Sequence, residues 1–129
     1  MNDKLLEQIR QLKNAVDRFS EALELPETDV NRDATIQRFE FTFELAWKTI
    51  KAIAIKDGLE VVSPADTIRV GNQMRLIDNV EEWLNFLDVR NITSHVYDEP
   101  TAKEAYQKIK PFLPFAKSLL EAINKRFSN

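Results

Sequence analysis

Arg90, His95 and Tyr97 lie close together in the chain and carry side chains that could do chemistry. His95 is the one histidine, and an ordinary pKa of about 6.5 suits it to general acid or base work near neutral pH. The planar guanidinium of Arg90 matches the oxygens of a phosphate group. The phenol of Tyr97 accepts a transferred group once it has lost its proton. These residue types predict phosphate chemistry or group transfer in this stretch.

The same stretch is predicted to form the end of an amphipathic helix. At about 100° per residue, Asp88 and His95 share one seam of that helix, and Arg90 and Tyr97 share the other. Asp88 is then placed to orient the imidazole of His95 or to raise its pKa. Both seams persist only if helical geometry continues to Tyr97.

Three more polar side chains are candidate supporting residues: Asn91, Thr93 and Ser94. Asn91 and Ser94 are expected towards the core-facing side of the helix. Thr93 and Ser94 have hydroxyls that either bond a phosphate or cap the end of the helix.

Structural roles stay open for the main candidates as well. His95 has the alternative of a capping or surface position, and Tyr97 that of a half-buried tyrosine with a satisfied hydroxyl. Arg90 has the alternative of a structural ion pair. Three acidic residues near it in the chain are candidate partners: Asp88, Asp98 and Glu99.

Composition excludes several classes of site. The chain has no cysteine and one histidine, so thiolate zinc sites and histidine cages within one subunit are ruled out, and we expect neither metal nor cofactor. Two glycines are too few for a glycine-rich phosphate loop. A formal charge of -3 disfavours duplex DNA as a partner. No signal peptide or membrane span is recognisable, so a cytoplasmic location is expected.

Hydrophobic periodicity predicts an all-α fold in a single domain over residues 1–129. A capping Ser63 followed by Pro64 marks one helix start, and Pro111 and Pro114 predict a kink or break in the last helix. We expect an up-down bundle of about five helices, four long and one short. Their predicted spans are 3–25, 33–58, 64–76, 80 to the mid-nineties, and 99–126.

The fourth predicted helix is apolar on two opposite sides. One set is predicted to face the core: Val80, Trp83, Leu84 and Leu87. The other needs a second surface to cover it: Phe86, Val89, Ile92 and Val96. A homodimer interface is the simplest cover, and the alternative is a helix sandwiched inside its own bundle. A two-fold axis there would bring two arginines and two histidines to one shared groove.

The stretch from Arg90 to Tyr97 matches the R-x4-H-x-Y motif of HEPN domains. Two further stretches, Ile36 to Lys48 and Ser63 to Arg69, are similar to signatures of one HEPN branch. The chain thus resembles, over nearly its whole length, the nucleotidyltransferase substrate-binding protein family, which is related to the HepT toxins.

This resemblance implies a helical subunit that dimerises and is the partner of a minimal nucleotidyltransferase encoded nearby, in a toxin–antitoxin-like module. It implies a metal-independent ribonuclease acting on single-stranded RNA through Arg90 and His95. It also implies that the transferase silences the subunit by adenylylating (AMPylating) Tyr97. The alternative within the family is a non-catalytic subunit that presents substrate to the transferase or scaffolds it.

Overall fold

A computed structural model describes residues 2–128, and this part of the chain folds into helices and connecting turns with no strand. The α2 helix is the longest and packs against each of the other five, so it forms the axis of the bundle. The α1 helix packs on α2 and α6, whereas α4 lies between α3 and α5. In chain order the helices are α1 (Asp3–Leu23), α2 (Asp29–Lys56), α3 (Pro64–Gln73), α4 (Val80–Thr93), α5 (Glu99–Ile109) and α6 (Phe112–Phe127).

Polar caps fix where most of these helices begin. The Ser63 hydroxyl accepts a hydrogen bond from the Asp66 amide at 3.0 Å, which confirms the predicted start of α3. The Thr28 hydroxyl does the same for the Asn31 amide at 3.0 Å. The α2 helix therefore begins at Asp29, one turn before its predicted start, because the sequence reading overlooked this cap.

The predicted last helix is divided into α5 and α6 at Lys110 and Pro111, so the bundle has six helices in place of about five. Pro111 has no amide hydrogen with which to continue the α5 hydrogen-bond ladder. Pro114 lies in the first turn of α6, where a missing amide costs little. The predicted break is confirmed.

Phe112, the first residue of α6, is the centre of the core and is fully buried. Its ring lies 5.0 Å from Phe86, 5.3 Å from Trp83 and 5.3 Å from Phe39, measured between centroids. Phe19 lies 6.3 Å away on α1. One aromatic cluster thus joins α1, α2, α4 and α6 and fixes the position of α4 in the bundle.

Two residues of the predicted dimer surface belong to this core. Phe86 is 4% exposed and Val89 is 8% exposed, and Phe86 packs on Phe115 at 5.4 Å between ring centroids. The expectation that both are left free for a second copy is wrong, because α6 folds back over that side of α4. Of the same set, Ile92 is exposed and Val96 is partly buried.

The residues predicted to face the core are buried to different degrees. Trp83 is fully buried, whereas Val80, Leu84 and Leu87 are only partly buried against the core. The α4 helix is therefore sandwiched within its own bundle, which is the alternative that the sequence left open. None of the helices over residues 2–128 combines the length and the apolar character needed to cross a membrane.

Candidate functional site

The candidate site is built around the end of α4, which stops at Thr93. The chain then turns, with the His95 amide donating to the Ile92 carbonyl at 2.9 Å. The next helix begins at Glu99, with Asp98 as its cap in an extended conformation. The segment between the two helices carries His95 and Tyr97, and both side chains are exposed.

Because α4 ends at Thr93, the two predicted seams do not exist. His95 and Tyr97 lie outside the helix, so His95 is not aligned with Asp88, nor Tyr97 with Arg90. Tyr97 is 89% exposed, which rules out the half-buried tyrosine considered from the sequence. The turn presents an imidazole and a phenol to solvent close to the last turn of α4.

Arg90 is held by a partner on another helix. Its Nε donates to Oε1 of Glu44 at 2.6 Å, and its Nη2 contacts the same oxygen. Its Nη1 donates to the side-chain oxygen of Asn91 at 3.0 Å. The expected pairing with Asp88, Asp98 or Glu99 is wrong, because Glu44 on α2 occupies the side of the guanidinium that would form it.

Glu40 lies one turn before Glu44 on the same side of α2 and is half-buried. Burial raises the pKa of the Glu40 carboxyl, and the nearby Glu44 carboxylate raises it further, while the positive charge of Arg90 opposes the rise. The sequence reading missed both glutamates as site residues. They lie within the stretch from Ile36 to Lys48 that carried the family resemblance, which was the available signal.

Thr93 and Ser94 complete the end of the helix. The buried Thr93 hydroxyl donates to the Arg90 carbonyl at 2.7 Å, and the Ser94 hydroxyl donates to the Asn91 carbonyl at 3.1 Å. Both side chains thus satisfy carbonyls that the terminating helix leaves without amide partners. The capping alternative describes them better than phosphate binding does.

Asp88 lies apart from His95, on the wall of a cleft of about 250 Å³ that also contains Ile92 and Lys108. Within residues 2–128 it forms no ion pair. The structure therefore does not bring Asp88 into contact with either main candidate.

The surroundings of Tyr97 are acidic. The phenol borders a depression of about 180 Å³ whose rim carries four carboxylates, and Arg32 lies at its base. Arg32 is 5% exposed, and its charge is already paired with Glu27 and Asp29. The four carboxylates belong to Asp29, Asp33, Asp98 and Glu99.

Asp98 also fixes the far end of the turn. Its carboxylate accepts hydrogen bonds from the Thr101 hydroxyl at 2.8 Å and from the Thr101 amide at 3.1 Å. These bonds lower the pKa of the Asp98 carboxyl. Over the described residues, no group of three or more His, Cys, Asp or Glu side chains is arranged to hold a metal ion.

An all-helical bundle whose fourth helix carries Arg90 and presents His95 and Tyr97 at its exposed end defines a HEPN-type domain. The family described as "Nucleotidyltransferase substrate binding protein like" matches residues 7–125. The chain therefore belongs to that family.

Known relatives agree with this assignment. A Haemophilus influenzae protein named "Probable ribonuclease HepT" is 34% identical over 96 residues, which span 70% of this chain and 66% of the relative. A crystal structure of a Thermus thermophilus protein is 32% identical, with a TM-score of 0.77, over 85% of this chain and 96% of the other.

Two further structures share the fold. A Haemophilus influenzae protein said to reveal the fold of a substrate binding domain of a nucleotidyltransferase is 29% identical, with a TM-score of 0.69, over 95% of this chain and 98% of the other. A tri-AMPylated Shewanella oneidensis HEPN toxin in complex with MNT antitoxin has a TM-score of 0.77 over 97% and 99% of the two chains. At 18% identity, the second of these bears on the fold alone.

Proposed function

We propose that this chain is the helical partner subunit of a minimal nucleotidyltransferase encoded nearby, in a two-gene toxin–antitoxin-like module of the cytoplasm. In this proposal a homodimer of the chain cleaves single-stranded RNA without a metal ion until Tyr97 is adenylylated. The observation that carries it is the joint exposure of His95 and Tyr97 on the turn that follows the helix of Arg90. The ribonuclease name of one relative and the AMPylated toxin among the structural neighbours support it.

The cleavage step uses the 2'-hydroxyl of the RNA as the nucleophile. That oxygen attacks the adjacent phosphorus, the bond from phosphorus to the 5'-oxygen breaks, and the products are a 2',3'-cyclic phosphate and a 5'-hydroxyl. One imidazole takes the proton of the 2'-hydroxyl, and an imidazolium gives a proton to the 5'-oxygen. Each chain has one histidine, so a dimer supplies His95 for both roles. Arg90 stabilises the charge that develops on the phosphorane oxygens.

The proposed silencing step is the transfer of AMP from ATP held by the transferase. The Tyr97 phenolate attacks the α-phosphorus, pyrophosphate leaves, and the phenolic proton passes to solvent. The exposed phenol needs no rearrangement to reach a partner's active site. A negative phosphodiester two residues from His95 then repels and obstructs an RNA phosphate.

The ribonuclease proposal is tested by incubating the purified chain with single-stranded RNA in the presence of EDTA. We expect cleavage by the wild type and a loss of at least about a hundredfold in His95→Ala, the usual contribution of a general acid or base. Asn85→Ala, at an exposed α4 position, is the control and should cleave at the wild-type rate. Equal rates for wild type and His95→Ala, or no cleavage by either, would reject this activity.

A second candidate function is a non-catalytic subunit that presents substrate to the transferase or scaffolds it. Two observations favour it: the carboxylates around Tyr97 disfavour RNA, and the charge of Arg90 is neutralised by Glu44. A stable complex with the transferase, together with no RNA cleavage and no toxicity on overexpression, is the result that selects this alternative.

The modification is tested separately by co-expressing the chain with the transferase and measuring its intact mass. We expect one or more added AMP units on the wild type and none on Tyr97→Phe, which retains the ring but lacks the acceptor oxygen. Peptide mapping should place the first unit on Tyr97. An unchanged wild-type mass, or equal labelling of Tyr97→Phe, would contradict the proposed switch.

A further inference from the structure

We propose that Glu44 is a positioning residue for Arg90, and that it turns the edge formed by the two terminal guanidinium nitrogens towards the phosphate of the RNA. This inference rests on the proposed ribonuclease function. Glu44 does not touch the substrate in this proposal, because its carboxylate lies on the opposite edge of the guanidinium.

The contacts of Arg90 fix the orientation of its guanidinium. Nε and Nη2 both face Oε1 of Glu44, and one hydrogen of Nη1 goes to the Asn91 side chain. Of the five N–H donors of an arginine, one on each terminal nitrogen is then left without a protein partner. Two donors on neighbouring nitrogens form the fork that binds two oxygens of a phosphate.

The pair is partly open to solvent, which leaves that fork accessible. The side chains of Arg90 and Glu44 are 31% and 29% exposed. Their helices are joined by the aromatic core, in which Phe43 of α2 lies 6.1 Å from Trp83 of α4 between ring centroids. The carboxylate therefore stands on a rigid support, whereas a free arginine samples many rotamers.

The charges around the pair predict how its loss divides between binding and catalysis. Glu44 has a second, weaker partner in Lys48, whose Nζ lies 3.9 Å from Oε2. Removing the carboxylate therefore leaves two cations without their anion. RNA binding then holds or strengthens, because a negative charge has gone. The chemical step slows, because the guanidinium no longer keeps the orientation that the phosphorane requires.

The test compares kcat and KM for RNA cleavage in Glu44→Ala, Glu44→Gln and the wild type. We expect kcat to fall at least about tenfold in Glu44→Ala while KM stays equal or decreases. Glu44→Gln retains an oxygen that can accept from Nε and should recover part of kcat. Glu7→Ala, which removes an exposed carboxylate paired with Arg10, is the matched control and should leave both constants unchanged.

Two kinetic results would overturn the inference. One is an unchanged kcat in Glu44→Ala. The other is a parallel fall of kcat and of the thermal unfolding midpoint that Glu44→Gln does not relieve, since that pattern marks a structural role only.

A nuclear magnetic resonance measurement separates this inference from the ribonuclease proposal itself. In uniformly ¹⁵N-labelled protein, the Nε–H of Arg90 should give a resolved signal that exchanges slowly with water, and that signal should be lost in Glu44→Ala. The signal of Arg126, which pairs with Asp57 at the far end of α2, should persist in both proteins and serves as the internal control.

If the wild type cleaves no RNA, the proposed function fails whatever this spectrum shows. If the wild type cleaves RNA but Arg90 gives a fast-exchanging signal that Glu44→Ala leaves unaltered, the positioning role of Glu44 fails alone.

Discussion

Asp98 links the exposed turn to α5, because its carboxylate caps that helix and its hydrogen bonds lower its pKa. A carboxyl whose pKa is lower in the folded state stabilises the fold above its unfolded value of about 3.9, and that contribution disappears as the pH falls through the folded value. Asp98→Ala should therefore lower the midpoint of thermal unfolding at pH 7 by a few degrees. The difference from wild type should shrink below about pH 4.

Calorimetric scans at several pH values measure this directly. Asp98→Asn keeps an accepting oxygen without a titrating charge, so its midpoint should differ from wild type less than that of the alanine variant. A gap between Asp98→Ala and wild type that is the same at every pH would contradict the capping account.

Glu40 makes the opposite contribution to stability, because burial raises the pKa of its carboxyl. The charged form is disfavoured in the folded state, so this residue destabilises the fold above its folded pKa and ceases to do so below its unfolded value of about 4.3. Glu40→Gln should be more stable than wild type at pH 7 in urea unfolding, with the gain vanishing towards pH 4. A variant less stable than wild type at pH 7 would show that the attraction of Arg90 outweighs burial.

At the residue scale, the motif was enough to identify Arg90, His95 and Tyr97 as candidates. It did not identify Glu44, because the two partners are 46 positions apart in the chain and meet only through the packing of α2 on α4. Neighbours in sequence were poor guides for the same reason, and Asp88, Asp98 and Glu99 all point elsewhere.

At the scale of the elements, helix starts were easier to predict than helix ends. Ser63 with Pro64 and the proline at position 111 gave clear local signals that the structure confirms. The end of α4 had no glycine or proline, and the hydroxyls of Thr93 and Ser94 satisfy its last carbonyls instead. Serine and threonine also occur inside helices, so the termination could not be distinguished from a continuing helix.

Gly71 sets how closely α3 approaches α2. A Cβ atom at this position would lie 3.1 Å from Cδ1 of Ile77 and 3.2 Å from Cγ2 of Ile50. Overpacking of this kind costs about 1–3 kcal/mol, which exceeds the gain of about 1 kcal/mol from replacing glycine by alanine in a helix.

We therefore expect Gly71→Ala to lower the free energy of unfolding in urea by about 1 kcal/mol. Gln73→Ala, at an exposed position of the same helix, is the control and should stay within about 0.5 kcal/mol of wild type. A stabilised Gly71→Ala would show that Ile77 moves aside freely.

At the scale of the whole molecule, Phe112 holds the bundle together, because its ring meets aromatic rings from α1, α2 and α4. Truncating a buried phenylalanine to alanine costs about 3–5 kcal/mol, a large part of the roughly 5–15 kcal/mol that stabilises a typical domain. Phe112→Ala should lose at least that amount in urea unfolding. The exposed Phe41→Ala should lose far less, and equal losses would contradict the assignment of Phe112 to the centre of the core.

The all-helical class and the amphipathic pattern followed from periodicity, but the partner of each apolar face did not. Two opposite apolar sides on α4 required two covering surfaces, and the sequence could not show that α6 supplies one of them. Phe86 and Val89 were therefore assigned to a dimer interface, although they pack inside the chain. The homodimer stays a prediction, with Ile92 as the exposed member of the original set.

The central claim is that the turn carrying His95 and Tyr97 is an RNA-cleaving site that adenylylation silences. The most direct measurement follows the cleavage of one labelled single-stranded RNA by the purified chain, before and after treatment with the transferase, ATP and Mg²⁺, with EDTA present during cleavage. The account predicts cleavage by the untreated chain, none by the treated wild type, and undiminished cleavage by treated Tyr97→Phe. An inactive untreated chain, or a treated wild type that carries AMP on Tyr97 and still cleaves at the original rate, would contradict it.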